Sequence, residues 1–301
     1  MSHIYLISPS SAVRTKSAVN RGVKRLQALG HNVELDEAVF ARDTRFAGDD
    51  ATRVAAVARA AASGADMVMT TRGGYGLSRI LPSLPYKAMA KSIAKGTQWV
   101  GFSDFTALSL ALTAKTGATS WAGPALIEDF GGDAVDEITH ACWDDLLTGF
   151  GEGTGWRIGA QDPTEFLVQD ATLWGGNLCM LASLVGTPYL PVVDKGILFL
   201  EDVGESPYKI ERMLTQLWHA GILAQQKAIV LGAFNRFTPS PADQGHKLAT
   251  VVAWLRTRTK ARVLTGLPFG HVPTKVVLPV GRTVDLAVQG REALLLWSHH
   301  H

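Results

Sequence analysis

Gln98-Trp99-Val100-Gly101-Phe102-Ser103-Asp104-Phe105-Thr106 passes from a short apolar strand through a sharp turn into a helix, which the pattern carries over residues 106–116 and stops at Gly117. The same alternation runs through everything before it. The apolar run 4–7 halts at Ser8-Pro9-Ser10. A helix over 18–29 places Val19, Val23, Leu26 and Leu29 at helical spacing and ends at Gly30. An alternating strand follows over 31–35, then an alanine-rich helix over 51–62. The strand 65–70 runs into Arg72-Gly73-Gly74-Tyr75-Gly76. Strands that alternate with helices predict an α/β fold, a mostly parallel sheet with helices on its flanks. In such sheets functional groups gather at the carboxyl ends of the strands.

Beyond about residue 150 the pattern changes. Gly151-Glu152-Gly153-Thr154-Gly155 is polar and flexible. The expected division is an N-terminal α/β domain over 1–150, a link over 151–170, and a C-terminal mixed β/α domain over 171–301. The second domain is expected to hold a strand at 197–200, a helix from Pro207 to about His219, a strand at 228–231, a helix at 247–256 and a strand-rich tail with runs at 276–278 and 284–288. The Pro207 helix has Ser206 in the N-cap position, proline in its first turn, and Ile210, Met213, Leu214 and Leu217 as its apolar face.

Bulk properties narrow the function. The 301 residues are 47% hydrophobic and 19% charged, enough for a large core in two domains. The formal charge of +2, with no basic stripe, gives no reason to expect nucleic acid as a partner. No apolar run reaches the length of a membrane span, and Met1-Ser2-His3-Ile4 begins a strand rather than a secretory signal, so a cytoplasmic protein is expected. Cys142 and Cys179 lack metal-ligand spacing and read as reduced thiols. The histidine run 299–301 reads as part of an affinity tag.

Four segments carry chemistry-bearing residues. Ser103 sits at the strand–helix turn, where helix N–H groups and the helix dipole favour a developing oxyanion. The competing reading is that Ser103 and Asp104 are ordinary N-caps, and the segment lacks the second glycine of G-x-S-x-G. The turn 72–76 matches no phosphate-binding loop. It is read either as a turn needing positive φ or as the source of a backbone amide, that of Gly74, facing the cleft of Ser103. Of the histidines before the tail, His140, His219 and His246 fall in helical patterns. His271 instead lies in the constrained loop Leu267-Pro268-Phe269-Gly270-His271-Val272-Pro273. The apolar run 197–200 ends in Glu201-Asp202, and charge alone leaves open which carboxylate would orient a histidine.

Arg72-Gly73-Gly74-Tyr75-Gly76, Gly101-Phe102-Ser103-Asp104, Trp174-Gly175-Gly176-Asn177-Leu178, Leu200-Glu201-Asp202-Val203-Gly204-Glu205 and Gly270-His271 occur in this order. In these stretches the chain resembles the LD-carboxypeptidases, serine peptidases that include muramoyltetrapeptide carboxypeptidase and the microcin C self-immunity proteins. The resemblance implies Ser103 as nucleophile, His271 as general base, Glu201 as its orienting acid, and the amides of Asp104 and Gly74 as an oxyanion hole. It implies a homodimer that removes the terminal D-alanine from murein tetrapeptide, with neither metal nor other cofactor. The length and the Trp174 stretch look more like the muramoyltetrapeptide branch than the microcin branch. Arg72, Arg79 and Arg212 are candidates for holding the substrate's free carboxylate, with a surface or interdomain ion pair as the leading competing reading for each. Tyr75, Trp174 and Asn177 are expected to touch substrate, with a core role for Trp174 as the competing reading. A non-catalytic, two-lobed peptide-binding module is the alternative from another functional class.

Overall fold

Each apolar run of the first half forms a strand in the computed structural model, which describes residues 1–297. β1 (His3–Ile7), β2 (Asn32–Leu35), β3 (Met67–Thr70), β4 (Gln98–Gly101) and β5 (Ser120–Ala122) pair in parallel in the order β5-β4-β3-β1-β2. The connections are α1 (Lys16–Ala28), α2 (Asp50–Ala62), α3 (Leu77–Ile80) with α4 (Tyr86–Ala94), and α5 (Phe105–Thr116). All four residues of β3 are buried, as a strand covered on both faces requires. The first eight residues of α5 are buried too, and Gly117 closes that helix in the left-handed region at φ 71°. The strand order reverses between β1 and β3. Connections diverge at such a point, and the crevice they leave lies outside the carboxyl ends of the strands.

After α6 (Glu137–Thr148) the chain enters a second compact unit. Its strands are β6 (Gly153–Arg157), β7 (Glu165–Asn177), β8 (Gly196–Val203), β9 (Gln226–Asn235) and β10 (Arg262–Leu264), with helices α7 (Leu178–Ser183), α8 (Pro207–His219) and α9 (Leu248–Arg256) between them. β11 (Leu278–Val280) then returns to the first sheet and pairs antiparallel with β5. β12 (Arg282–Gln289) and β13 (Glu292–Leu296) complete the second sheet, ordered β10-β9-β8-β7-β12-β13-β6. Its β7–β10 half is parallel and its β7-β12-β13-β6 half antiparallel, so it is mixed as expected. Ile197, Leu198, Phe199 and Leu200 of β8 are fully buried at its centre, each contributing about 1.5–3 kcal/mol of apolar burial.

Several expectations are corrected. The stretch 151–170 is not a free link: it holds β6 and the first half of β7, because Gly153–Arg157 finds a ladder partner in β13. The two units are Met1–Gly151 with Pro273–Val280, and Glu152–Val272 with the residues from Gly281 onward. The run 276–278 therefore belongs to the first unit. β8 does not end at Leu200 but continues to Val203, so Glu201 and Asp202 lie inside a strand. His246 precedes α9 rather than lying within a helix. Ser206 occupies the cap position of α8, yet its hydroxyl makes no capping bond. The run 299–301 lies outside the described residues. Among the described residues, no helix is long and apolar enough to cross a membrane.

Candidate active site

In the first unit, β4 ends at Gly101 and α5 begins at Phe105, so the chain must reverse within three residues. Ser103 absorbs that turn with φ 61°, in the left-handed region that a β-carbon disfavours by roughly 1–2 kcal/mol. A serine kept in such a conformation marks stored strain of the kind found at functional turns. The turn is tightened by Phe105 N–H donating to the Phe102 carbonyl at 3.2 Å and Thr106 N–H donating to that of Ser103 at 3.0 Å. The ordinary capping role does not materialise for Asp104. Its carboxylate makes no bond to the start of α5; it accepts instead from Ser10 Oγ and from Leu77 N, both at 2.8 Å.

The glycine turn after β3 lies directly against this elbow. A β-carbon on Gly73 would stand 2.8 Å from Ser103 Cβ and 3.1 Å from its Oγ, so only glycine fits there. Gly74 has φ 86°, and a side chain would also strike Ser11 Oγ at 2.5 Å. The two turns that sequence reading singles out thus meet within one unit, at the carboxyl ends of β3 and β4. Ser10 and Arg53 belong to the same cluster. Nothing in the motifs marks them, although Arg53 is a lone cation on the buried face of alanine-rich α2, which is itself a signal.

The second unit carries the other charged groups. Register pairs Asn177 of β7 with Glu201 of β8. Glu201 is fully buried; its Oε1 accepts from Asn177 Nδ2 at 3.0 Å, and its Oε2 faces His271 Nδ1 at 2.8 Å. A buried carboxylate needs such partners, since desolvation otherwise costs several kcal/mol. The His271 loop is sewn to β9: Ala233 N–H donates to the Phe269 carbonyl at 2.8 Å, and Asn235 Nδ2 to the His271 carbonyl at 2.9 Å. The imidazole side chain is 14% exposed, its Nδ1 edge turned into the protein. The carboxylate contact fixes the ring with Nδ1 towards Glu201 and Nε2 on the opposite edge.

Asp202 plays a different part. A register shift of β8 against β9 between Leu200 and Asp202 lets consecutive carboxyl groups both reach Asn177. Asp202 accepts from Asn177 Nδ2 at 3.0 Å, Cys179 N at 2.8 Å and Val203 N at 2.8 Å, and has no hydrogen bond or ion pair to a histidine among the described residues. Burial, abetted by the neighbouring Glu201 charge, pushes its carboxyl up to about 6. A raised carboxyl pKa is felt as stability lost with rising pH. Below the ordinary value near 3.8 both states hold the proton, and between there and about 6 only the native state does. Relative to Asp202→Asn, the wild-type stability is expected to fall by about 2–3 kcal/mol between pH 4 and pH 6 and to level off above. Urea titrations of both proteins across that range check it; parallel curves would contradict it.

The remaining candidates are placed as follows. Trp174 is buried, with its indole N–H donated to Gln226 Oε1 at 2.9 Å, so it is a core residue and not a substrate contact. Asn177 is likewise buried, and its amide serves Glu201, Asp202 and Met180 N. That is the work of an orienting residue, in place of the expected substrate contact. Tyr75 is half exposed beside Gly74 and 6.0 Å from the Phe46 ring. Arg72 donates to the Ala12 carbonyl at 3.2 Å and stands 3.9 Å from Glu128. Arg79 pairs with Asp50 at 3.1 Å, and Arg212 is exposed on α8.

Comparison with known proteins agrees on one family. The profile of the LD-carboxypeptidase N-terminal domain matches residues 4–123, and that of the LD-carboxypeptidase C-terminal domain matches residues 170–286. A Bacillus subtilis protein named a probable murein peptide carboxypeptidase is 28% identical over 96% of this chain and 90% of its own length. A Synechocystis protein named a putative carboxypeptidase is 31% identical over 93% of this chain and 90% of its own. The crystal structure of muramoyltetrapeptide carboxypeptidase from Oxalobacter formigenes superposes with a TM-score of 0.89 and 38% identity, covering 98% of both chains.

Proposed function

The chain belongs to the LD-carboxypeptidase family, and on that premise we propose that it is a serine-type carboxypeptidase cleaving the L,D-amide before the terminal D-alanine of murein tetrapeptide. The observation that carries the reading is the buried Glu201 carboxylate holding His271 Nδ1 at 2.8 Å, which leaves Nε2 as the working base. The strained Ser103 against the glycine turn supplies the matching nucleophile.

The chemistry follows the general scheme of acyl transfer. Ser103 Oγ bonds to the scissile carbonyl carbon as its proton passes to His271 Nε2, and the carbonyl oxygen becomes an oxyanion received by the amides of Asp104 and Gly74. Collapse breaks the C–N bond, and His271 returns the proton to the departing D-alanine amine. Water then attacks the acyl ester, giving its proton to His271, and Ser103 is regenerated with that proton. Glu201 stabilises the imidazolium formed in each half. The 38% identity to a muramoyltetrapeptide carboxypeptidase over the whole chain supports the murein branch over the microcin branch.

Mass spectrometry after incubation with murein tetrapeptide, murein pentapeptide and a microcin-like adenylated peptide tests the choice. Loss of one D-alanine from the tetrapeptide, much faster than any cleavage of the other two, is expected. Preferential cleavage of the adenylated peptide would move the protein to the other branch, and binding without cleavage of any would favour the two-lobed binding module.

A further inference from the structure

The Asp104 carboxylate has work that neither a cap nor an oxyanion amide explains. The side chain is buried, 2% exposed, and reaches away from its own helix. One oxygen, Oδ2, receives Ser10 Oγ from the turn after β1 and Leu77 N from the start of α3, each at 2.8 Å; the Gly76 amide is directed at the same carboxyl. The Gly76 peptide is gripped on its other side as well. Fully buried Arg53 donates Nη1 to the Gly76 carbonyl at 2.7 Å and to the Pro9 carbonyl at 3.1 Å. Arg53 also pairs with Asp50 and packs against the Phe46 ring at 4.8 Å, so it is itself held. The turns after β1, β3 and β4 are thereby joined through two buried charged side chains. The oxyanion amides assigned above come from two of those turns, both beyond the last register pair of the β3–β4 ladder, Met69 with Val100.

We propose that the Asp104 side chain is a positioning residue of the reaction, tethering the Ser103 elbow to the Gly74 turn so that the two amide donors stay aimed at one oxygen. This rests on the oxyanion assignment made under the proposed function. The cost of building it is a buried carboxylate. Burial raises the Asp104 pKa, against the pull of the Leu77 amide, Ser10, the Gly76 amide and the Arg53 charge. Such a cost is sustained where a geometry must be kept within a fraction of an ångström.

The test separates aim from folding. Asp104→Ala keeps the peptide N–H and removes only the tether. Its kcat is expected to fall about a hundredfold with KM changed less than about threefold, the signature of a lost transition-state interaction. Affinity for a peptide boronic acid, whose tetrahedral adduct places an oxygen where the oxyanion forms, is expected to fall by a similar factor. Asp104→Asn, whose amide oxygen can accept from both Ser10 Oγ and Leu77 N, is expected to recover at least tenfold of both losses. Should Asp104→Ala fail to fold, Ser10→Ala is read the same way, with an expected loss of boronate affinity of about fivefold from removing one donor. Unchanged kcat and boronate affinity per folded molecule in these variants, or no recovery in Asp104→Asn, overturns the tether. Undiminished turnover and boronate binding by Ser103→Ala would instead overturn the nucleophile assignment beneath it.

Discussion

Ser103→Ala is expected to lower D-alanine release from murein tetrapeptide by about 10⁵- to 10⁶-fold while the protein remains folded. Alanine puts a methyl group at that turn, and the Gly73 backbone and buried Phe102 beside it carry no nucleophile. The fold should survive because the strain at φ 61° is borne by the backbone and not by the hydroxyl. The same argument ranks two inactive variants. Alanine keeps the β-carbon that the left-handed region disfavours, and glycine does not, so Ser103→Gly should be more stable than Ser103→Ala by about 1 kcal/mol. A discontinuous assay for free D-alanine and thermal unfolding of both variants read the two effects. Retained turnover in Ser103→Ala would remove the nucleophile from the proposal, and equal stability of the two would remove the strain.

Glu201→Gln is expected to cost about 10³- to 10⁴-fold in kcat, against no more than about tenfold for the adjacent Asp202→Asn. The asymmetry lies in the partners. Both oxygens of Glu201 accept: Oε1 from Asn177 Nδ2 and Oε2 from the His271 Nδ1 side. A glutamine must set its own NH₂ against one of these donors. Facing His271, it forces the wrong tautomer; facing Asn177, it opposes two NH₂ groups in a buried site, which costs about 1–3 kcal/mol. Asp202 is tied to the histidine through Asn177 and Glu201, so its neutral replacement disturbs orientation at second hand. Steady-state kinetics of the two single variants decides the matter, and equal losses or the reverse order would transfer the orienting role to Asp202.

Much of this was legible before any coordinates, and the reason is range. The first-half strands at 4–7, 31–35 and 65–70, the glycine stop at Gly117 and the helix at Pro207 obey rules that act over a few residues, and they reappear within one or two residues. The turns that hold Gly74, Ser103 and His271 and the acid pair Glu201-Asp202 stand out for the same reason, each having a distinctive local pattern. The failures share the opposite cause. The run 276–278 carries no local mark of which sheet it joins, and the free edge of β5 decides that. Trp174 and Asn177 look like site residues by motif, yet register turns one into the core and the other onto Glu201.

What the sequence by itself determined is the α/β architecture, the family and the handful of turns where chemistry can reside. What only the tertiary structure decided is how two consecutive acids divide their partners, Glu201 on the imidazole and Asp202 on Asn177 and two backbone amides, and that Asp104 abandons its own helix to bind the neighbouring turns. Local conformation is set by steric and hydrogen-bond rules among near neighbours. The partner of a buried charge is instead chosen by strand register and by which donors the fold delivers to a place without water.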